Sequence, residues 1–547
     1  VRRATDTEFI TKGTKIVREL KSIVMGAFLG LAAFAGPALA QGSNASLTIV
    51  REVDSDRYDP HRSTARSASE VLFMMADTLV SLDHDMATIK PGLANSWTMA
   101  PDGKTYTFKL RNDVSFCDGK KLTAQDVVYS IKRWIDPATR SPVAWRAGKI
   151  EDIVATDDYT VEYKLKAPFS ELLYQLTQSF AVIIDKANVE ALGADFGVKG
   201  FNGTGPYCWG DWKPRNEFRL KRHAAYKWGP PIYQNTGPAQ IEEIVWRIVP
   251  EDNTRLAAVM TGQTQVTQYV PYSGMAQMRA NKNLRIVESK EAFWTYFVGF
   301  KIDKEGVSDP AVRKAMVMAV DQKAIAENLY FGEVEPAYSY ISTEALDWNK
   351  ALTPKLIKTD VAEANRILDA AGWVKGPDGF RMKDGKKLSP IVYGFTGSTW
   401  QKLMEAIQGD LRKIGVDLRV QLFDATIAWG KMATQEFDMF GMSFPYISAG
   451  DALNLYFPSA NAPTPNRMNW KDPATDELLT KGITALNDAD RAAAYGEVLT
   501  KVHEAAVWLP LYHEPMKIAA SARLAPFKAH NIYGCGLYKG LDLKFVR

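Results

Sequence analysis

The 547-residue sequence predicts an α/β protein of roughly two to four domains. Three observations carry that reading. The length exceeds what one hydrophobic core usually organises. Short segments of alternating polarity recur along the chain and read as strands. Between Lys387 and Asp424 the run "KLSPIVYGFTG", "TWQKLMEAIQGDLRKIG", "VDLRVQLFD" reads as strand, helix, strand, the pattern of a parallel α/β unit. With 46% hydrophobic and 24% charged residues, the chain can bury large cores and lies outside the disordered class.

The elements follow in order. "SLTIVRE" alternates as a short strand from Ser46, and the segment after Tyr58 enters a helix of apolar residues at helical spacing. "KTYTFKLR" puts Tyr106, Phe108 and Leu110 on one strand face. Asp118-Gly119 is a turn, and Thr123 with Asp126 resembles a capping box before a helix that buries Val127, Ile131 and Trp134. "TVEYKLK" is a second alternating strand. "GTGPY" is a turn feeding "CWGDW", and "EFRLKR" and "EEIVWRIVP" are strands. "DNTRLAAVMTG" is a helix closed by Gly262. "AFWTYFVGFKI" is strongly strand-like, Asp309 to Gly332 is one long helical stretch, and "DVAEANRILDAAGW" is a further helix. Without repeats or long linkers, the chain reads as interleaved lobes.

The N-terminal region reads as a secretory signal peptide, residues 1–40. Arg18 and Lys21 precede the apolar run "IVMGAFLGLAAFAG", and "PALA" offers a cut after Ala40, leaving Gln41 first. The leader carries six basic and three acidic residues, so a formal charge of +4 becomes +1 after cleavage. No basic run suggests a nucleic-acid surface. Three cysteines, Cys117, Cys208 and Cys535, permit one disulfide in an oxidising compartment, and sequence alone does not name the pair.

No catalytic motif stands out: there is no G-x-S-x-G elbow, H-E-x-x-H helix or phosphate-binding loop. No cofactor is expected. His503 and His513 are weak evidence for a metal site, and structural roles fit them better. The aromatic content, 14 Trp and 22 Tyr, is more informative because many of these residues fall in apparent loops or strand ends. Trp145, Tyr269, Tyr272, Trp294, Tyr296, Trp429, Phe444, Tyr446 and Trp470 are of that kind, and aromatic-lined clefts commonly hold small molecules. Ordinary core packing is the alternative for any one of them.

The stretch "LANSWTMAPDGKTYTFKLRNDVSFCDGKKLTAQDVVYSIKRW" resembles the signature of family 5 extracellular solute-binding proteins, periplasmic receptors of ABC importers. "YDPH", "GTGPY", "DPAVRKAMVMAVD", "DPATDELLTKG" and "LPLYHEP" follow in that family's order. The resemblance implies a two-lobed periplasmic binding protein fold (type II, cluster C-like) with an extra third domain. Domain I would comprise residues 41–72, 200–292 and 517–547, domain II residues 73–199, and domain III residues 293–516. It implies a monomer that is not an enzyme. The protein would hold a peptide-like or other small solute between its lobes by hinge closure and deliver it to a membrane permease with its ATPase. An opine, sugar or sugar phosphate is the alternative ligand, and a secreted hydrolase or chaperone the alternative class.

Site residues are carried over on the same basis. Thr64 and Arg66, after "DPH", match positions that approach ligand in peptide-binding relatives. An arginine there suits an anionic or polyhydroxyl ligand, with a solvated loop arginine as the alternative. Trp145, Tyr269, Trp294, Tyr296, Trp429, Phe444 and Tyr446 complete the expected aromatic cleft. Ile447 stands where peptide-binding members place the acid that holds the ligand's ammonium group. Asp451 could replace that acid only in a rebuilt loop. Lys301, Gln265 and Cys117 also depart from common family residues. The domain layout puts Cys208 and Cys535 together in domain I and Cys117 in domain II, so a Cys208–Cys535 disulfide is expected.

Overall fold

The computed structural model describes residues 45–289 and 292–546; the expected leader lies outside the described residues. Three sheets organise the chain. The largest has seven strands in the order Leu284–Glu288, Lys517–Ser521, Val266–Thr267, Ser46–Arg51, Glu243–Ile248, Glu217–Arg222, Tyr207–Lys213. Ser46–Arg51 runs parallel to both of its neighbours, and the other pairs are antiparallel. Its strands come from three separated stretches, residues 46–51, 207–288 and 517–521, which the sheet joins.

A second sheet of four antiparallel strands is built from Ala94–Met99, Thr105–Leu110, Thr160–Leu165 and Ile150–Asp157. Tyr106, Phe108 and Leu110 are buried as the alternation predicts. The helix Ala124–Ile135 packs on this sheet through Val127, Ile131 and Trp134, all fully buried. Its start is fixed by Asp126 Oδ2, which accepts from the Thr123 N–H at 2.9 Å.

The third sheet has six strands in the order Glu335–Pro336, Trp508–Glu514, Trp294–Phe300, Met439–Pro445, Ile391–Phe395, Arg419–Phe423. Ile391–Phe395 and Arg419–Phe423 are parallel and joined through the helix Ser398–Lys413, the expected α/β unit. Trp294–Phe300 is central and antiparallel to both neighbours.

Two expectations change. The stretch from Asp309 to Gly332 is not one helix. Pro310–Ala319 ends where Val320 turns extended (φ −80°, ψ 131°), and Asp321 then caps a new turn by accepting from the Ala324 N–H at 2.8 Å. The disulfide is Cys117–Cys208, with Cα atoms 5.8 Å apart, and Cys535 is a buried free thiol. The pairing expected from domain membership fails because the Cys117 turn docks on the 202–208 segment. The Cys117 N–H donates to Gly203 O at 2.9 Å, and the Asp118 N–H to Asn202 Oδ1 at 3.3 Å. His223 lies beside the disulfide, the three potential ligand atoms falling within 4.8 Å of one another, but both sulfurs are committed to the covalent bond. Among the described residues no helix is long and apolar enough to cross a membrane.

Candidate solute-binding cleft

Two adjoining cavities meet at Arg66 and Trp294, which line both. Trp294 opens the central strand of the six-stranded sheet and is flanked in register by Glu514 and Pro445. Two residues on, Tyr296 is flanked by Tyr512 and Ser443 on the same face. Arg66 opens the helix Arg66–Met75. Gly534 forms the back of this junction at φ 66°. A Cβ there would lie 2.7 Å from the Trp294 ring and 3.3 Å from Arg66 Nε, so only glycine lets the backbone approach this closely.

The first cavity, of about 180 Å³, is polar. Its lining includes Tyr269, Tyr272, Tyr296 and Tyr512, with three acids (Glu52, Asp252, Glu514) and three bases (Arg66, Arg255, Lys517). Arg255 pairs with Asp252, Lys517 with Glu333 at 2.8 Å, and the Tyr272 hydroxyl donates to Glu514. Tyr296 stacks on Tyr512 with ring centroids 4.3 Å apart.

Arg66 is only 16% exposed along its side chain and donates to Glu70 Oε1 at 3.1 Å. Its guanidinium lies 4.7 Å from the Tyr269 ring centroid and 5.5 Å from that of Trp294. Burial opposes its charge, but Tyr269, Glu70 and Glu514 outweigh burial and hold its pKa above the ordinary arginine range.

The second cavity, of about 450 Å³, is aromatic. Trp294, Phe395, Trp400, Trp429, Phe444, Tyr456 and Tyr533 supply rings, Thr64 sits at its edge, and Arg66, Arg146 and Arg467 supply charge. The Tyr533 hydroxyl donates to Thr64 O at 2.6 Å, and its ring meets Phe444 edge-on at 5.6 Å. Arg146, 3% exposed along its side chain, pairs with Asp451 and donates to Gln175 Oε1 at 2.8 Å. It also lies 5.7 Å from the Phe444 ring. Asp451 sits in the first turn of the helix Ala449–Tyr456, where burial raises its pKa and Arg146 pulls it down, with a net rise. Its charge is therefore committed to Arg146 and is not free for a ligand's ammonium group.

Of the residues expected from sequence, Arg66 and Trp294 line both cavities, Tyr269 and Tyr296 the polar one, and Thr64, Trp429 and Phe444 the aromatic one. Three line neither. Trp145 is displaced by one position, since its neighbour Arg146 reaches the cavity and covers the Trp145 ring at 4.8 Å. Tyr446 and Ile447 follow the strand Met439–Pro445 and turn inward into the core, where Tyr446 stacks toward Trp508. The sequence reading missed Arg146, Arg467, Trp400, Tyr456, Glu514 and Tyr533. An arginine next to an aromatic at 145–146, and another in "PNRMNW", were the available signals. His503 and His513 are buried, and burial lowers each pKa to about 4. His513 Nδ1 lies 3.0 Å from Thr295 Oγ1, a structural setting.

Aromatic walls with a few fixed charges are the common form of a small-molecule site. The sequence model of the bacterial extracellular solute-binding proteins, family 5 Middle, matches residues 88–464. The chain belongs to that family. Among curated relatives it is similar to the glutathione-binding protein GsiB of Escherichia coli O1:K1 / APEC, with 27% identity over 481 residues, 86% of this chain and 89% of the relative. Two solved structures show the same fold. One is NikA from Brucella suis in complex with Fe(III)-EDTA: 24% identity, TM-score 0.81, covering 92% of this chain and 100% of that one. The other is the oligopeptide-binding protein AppA from Bacillus subtilis in complex with a nonapeptide: 22% identity, TM-score 0.79, covering 92% and 99%. This family 5 protein thus has the type II periplasmic binding protein fold, and two of these relatives are named for what they bind.

Proposed function

We propose that this chain captures a small, peptide-like or similar organic solute outside the cytoplasm. The solute is enclosed between two lobes by hinge closure and passed to a membrane permease powered by an ATPase. The observation that carries this reading is the junction of Arg66, Trp294 and Gly534. Three distant stretches of chain meet there around two cavities of about 180 and 450 Å³. A ligand touching all three stretches would stabilise the closed arrangement, because closure follows only from contacts absent when the lobes part. In this reading residues 41–72, 200–292 and 517–547 form domain I, 73–199 domain II and 293–516 domain III. The protein works as a monomer after cleavage behind Ala40. The family membership and the binding proteins among its relatives support the role.

The test is native mass spectrometry of the folded protein after exposure to a small-molecule cell extract. The expected result is one retained solute, released chemically unchanged on denaturation. Conversion of that solute on incubation would replace the receptor reading with an enzyme.

A further inference from the structure

The lining of the aromatic cavity holds three arginines and no aspartate or glutamate. Two of the three are already neutralised: Arg66 by Glu70 at 3.1 Å, and Arg146 by Asp451, which stands behind the cavity wall. Arg467 is different. Its Nε is buried without a hydrogen-bond acceptor, and among the described residues it makes no ion pair. The ionisable groups it faces are the phenols of Tyr456 and Tyr446. Burial lowers its pKa below the ordinary arginine value, but a guanidinium stays charged near neutral pH.

An uncompensated cation held partly out of water is unfavourable unless something offsets it. The Trp429 ring, 5.5 Å from the Arg467 guanidinium, offsets part of the cost. The loop backbone that carries the side chain is well tied. Asn466, fully buried, donates to Pro458 O at 3.1 Å and to Trp470 O at 2.7 Å, and accepts from the Trp470 N–H at 3.1 Å. The Arg467 N–H itself donates to Pro465 O at 2.8 Å. The backbone at Arg467 is therefore held in place, and its side chain extends from that fixed point along the cavity wall.

We propose that Arg467 is the anchor for an anionic group of the captured solute, with the aromatic walls taking a planar or apolar body attached to it. The ligand class is an organic anion: a carboxylate, phosphate ester or sulfonate on a body that stacks on Trp429, Trp400 and Phe395. Two oxygens of a carboxylate, phosphate or sulfonate can accept side by side from the fork of a guanidinium, and stacked rings exclude the water that would weaken the contact. The inference rests on the solute-capture reading and narrows it.

The test uses two fluorescent probes of nearly the same body, anilinonaphthalene sulfonate, which is anionic, and phenylnaphthylamine, which is neutral. The wild-type protein is expected to bind the sulfonate saturably. Arg467→Gln should weaken the sulfonate by about tenfold or more and leave the neutral amine within about twofold, while Arg467→Lys keeps most of the sulfonate affinity. Melting temperature, read in parallel, should not fall in Arg467→Gln. Equal sulfonate affinity in wild type and Arg467→Gln, or no saturable sulfonate binding to wild type, would overturn the proposal. The native mass spectrum separates this from the broader reading. A retained neutral or cationic solute leaves capture standing and removes the anion anchor, whereas an enzyme-like conversion removes capture while the probe result still reads Arg467 directly.

Discussion

The two cavities that share Arg66 and Trp294 differ in how their charges are balanced. The polar cavity sets Glu52, Asp252 and Glu514 against Arg66, Arg255 and Lys517. The aromatic cavity sets three arginines against no carboxylate of its own lining. Counting arginines alone would make the aromatic cavity strongly cationic, but its walls hide Glu70 and Asp451 behind two of them. What distinguishes an arginine that builds a wall from one available to a ligand is the partner behind it, not its presence at the surface of the cavity.

Arg146→Ala should have the largest effect. It leaves Asp451 buried without its cation, and urea denaturation is expected to show a loss of about 3–5 kcal/mol. If the loss matches that of an ordinary surface arginine, the division between wall-building and available arginines breaks. Gly534→Ala comes next. A methyl group cannot fit against Trp294 at a positive φ without displacing it, so about 1–3 kcal/mol of stability should go. Because Trp294 is common to both cavities, probe binding in both should weaken together; an effect on one alone would make them independent sites.

Glu171 gives a pH test of the wall behind the aromatic cavity. Its Oε2 accepts from Ser448 Oγ at 3.0 Å. Burial raises its pKa from 4.5 to about 7, with Arg491 pulling it down and Asp347 and Asp451 pushing it up. The folded state therefore holds a proton that the unfolded chain has lost between those values. Stability should fall as pH rises from 4.5 toward 7 and then level off. Glu171→Gln should flatten this slope and gain about 1–2 kcal/mol above neutral pH. An unchanged slope would show that Glu171 stays ionised in the fold. The smallest effect belongs to Arg467→Gln, whose stability should stay within about 0.5 kcal/mol of wild type because among the described residues it leaves no ion-pair partner behind.

Much of the fold was legible because strands and helices here are written in local periodicity. Tyr106, Phe108 and Leu110 alternate inward, and Val127, Ile131 and Trp134 recur at helical spacing. The break at Val320 was not legible, since "AVDQKAI" has helical spacing and the interruption lies in an extended valine followed by an aspartate cap. The disulfide was misassigned because domain membership says nothing of where a turn docks. Cys117 and Cys208, 91 positions apart, are brought together where the Cys117 and Asp118 N–H groups donate to Gly203 O and Asn202 Oδ1.

The site was legible in its aromatics and less so in its charges. Trp294 and Arg66 were found on family pattern, and both stand at the junction. Arg146 and Arg467 were missed because a neighbouring aromatic is a weak local signal and their distinction lies in the folded chain. Arg146 meets Asp451 only in the folded chain, and Arg467 is notable for making no ion pair among the described residues. Ile447 was read as the place of a missing ligand acid, yet it faces the core. The acid four positions on, Asp451, holds Arg146.

The most direct test is a crystal structure of the protein with the solute it retains. The account predicts a ligand enclosed beside Trp294, with an anionic oxygen within hydrogen-bond distance of the Arg467 guanidinium and its body against Trp429 and Trp400. A ligand whose anionic group is held at Arg66 in the polar cavity, or one with no anionic group at all, would contradict it.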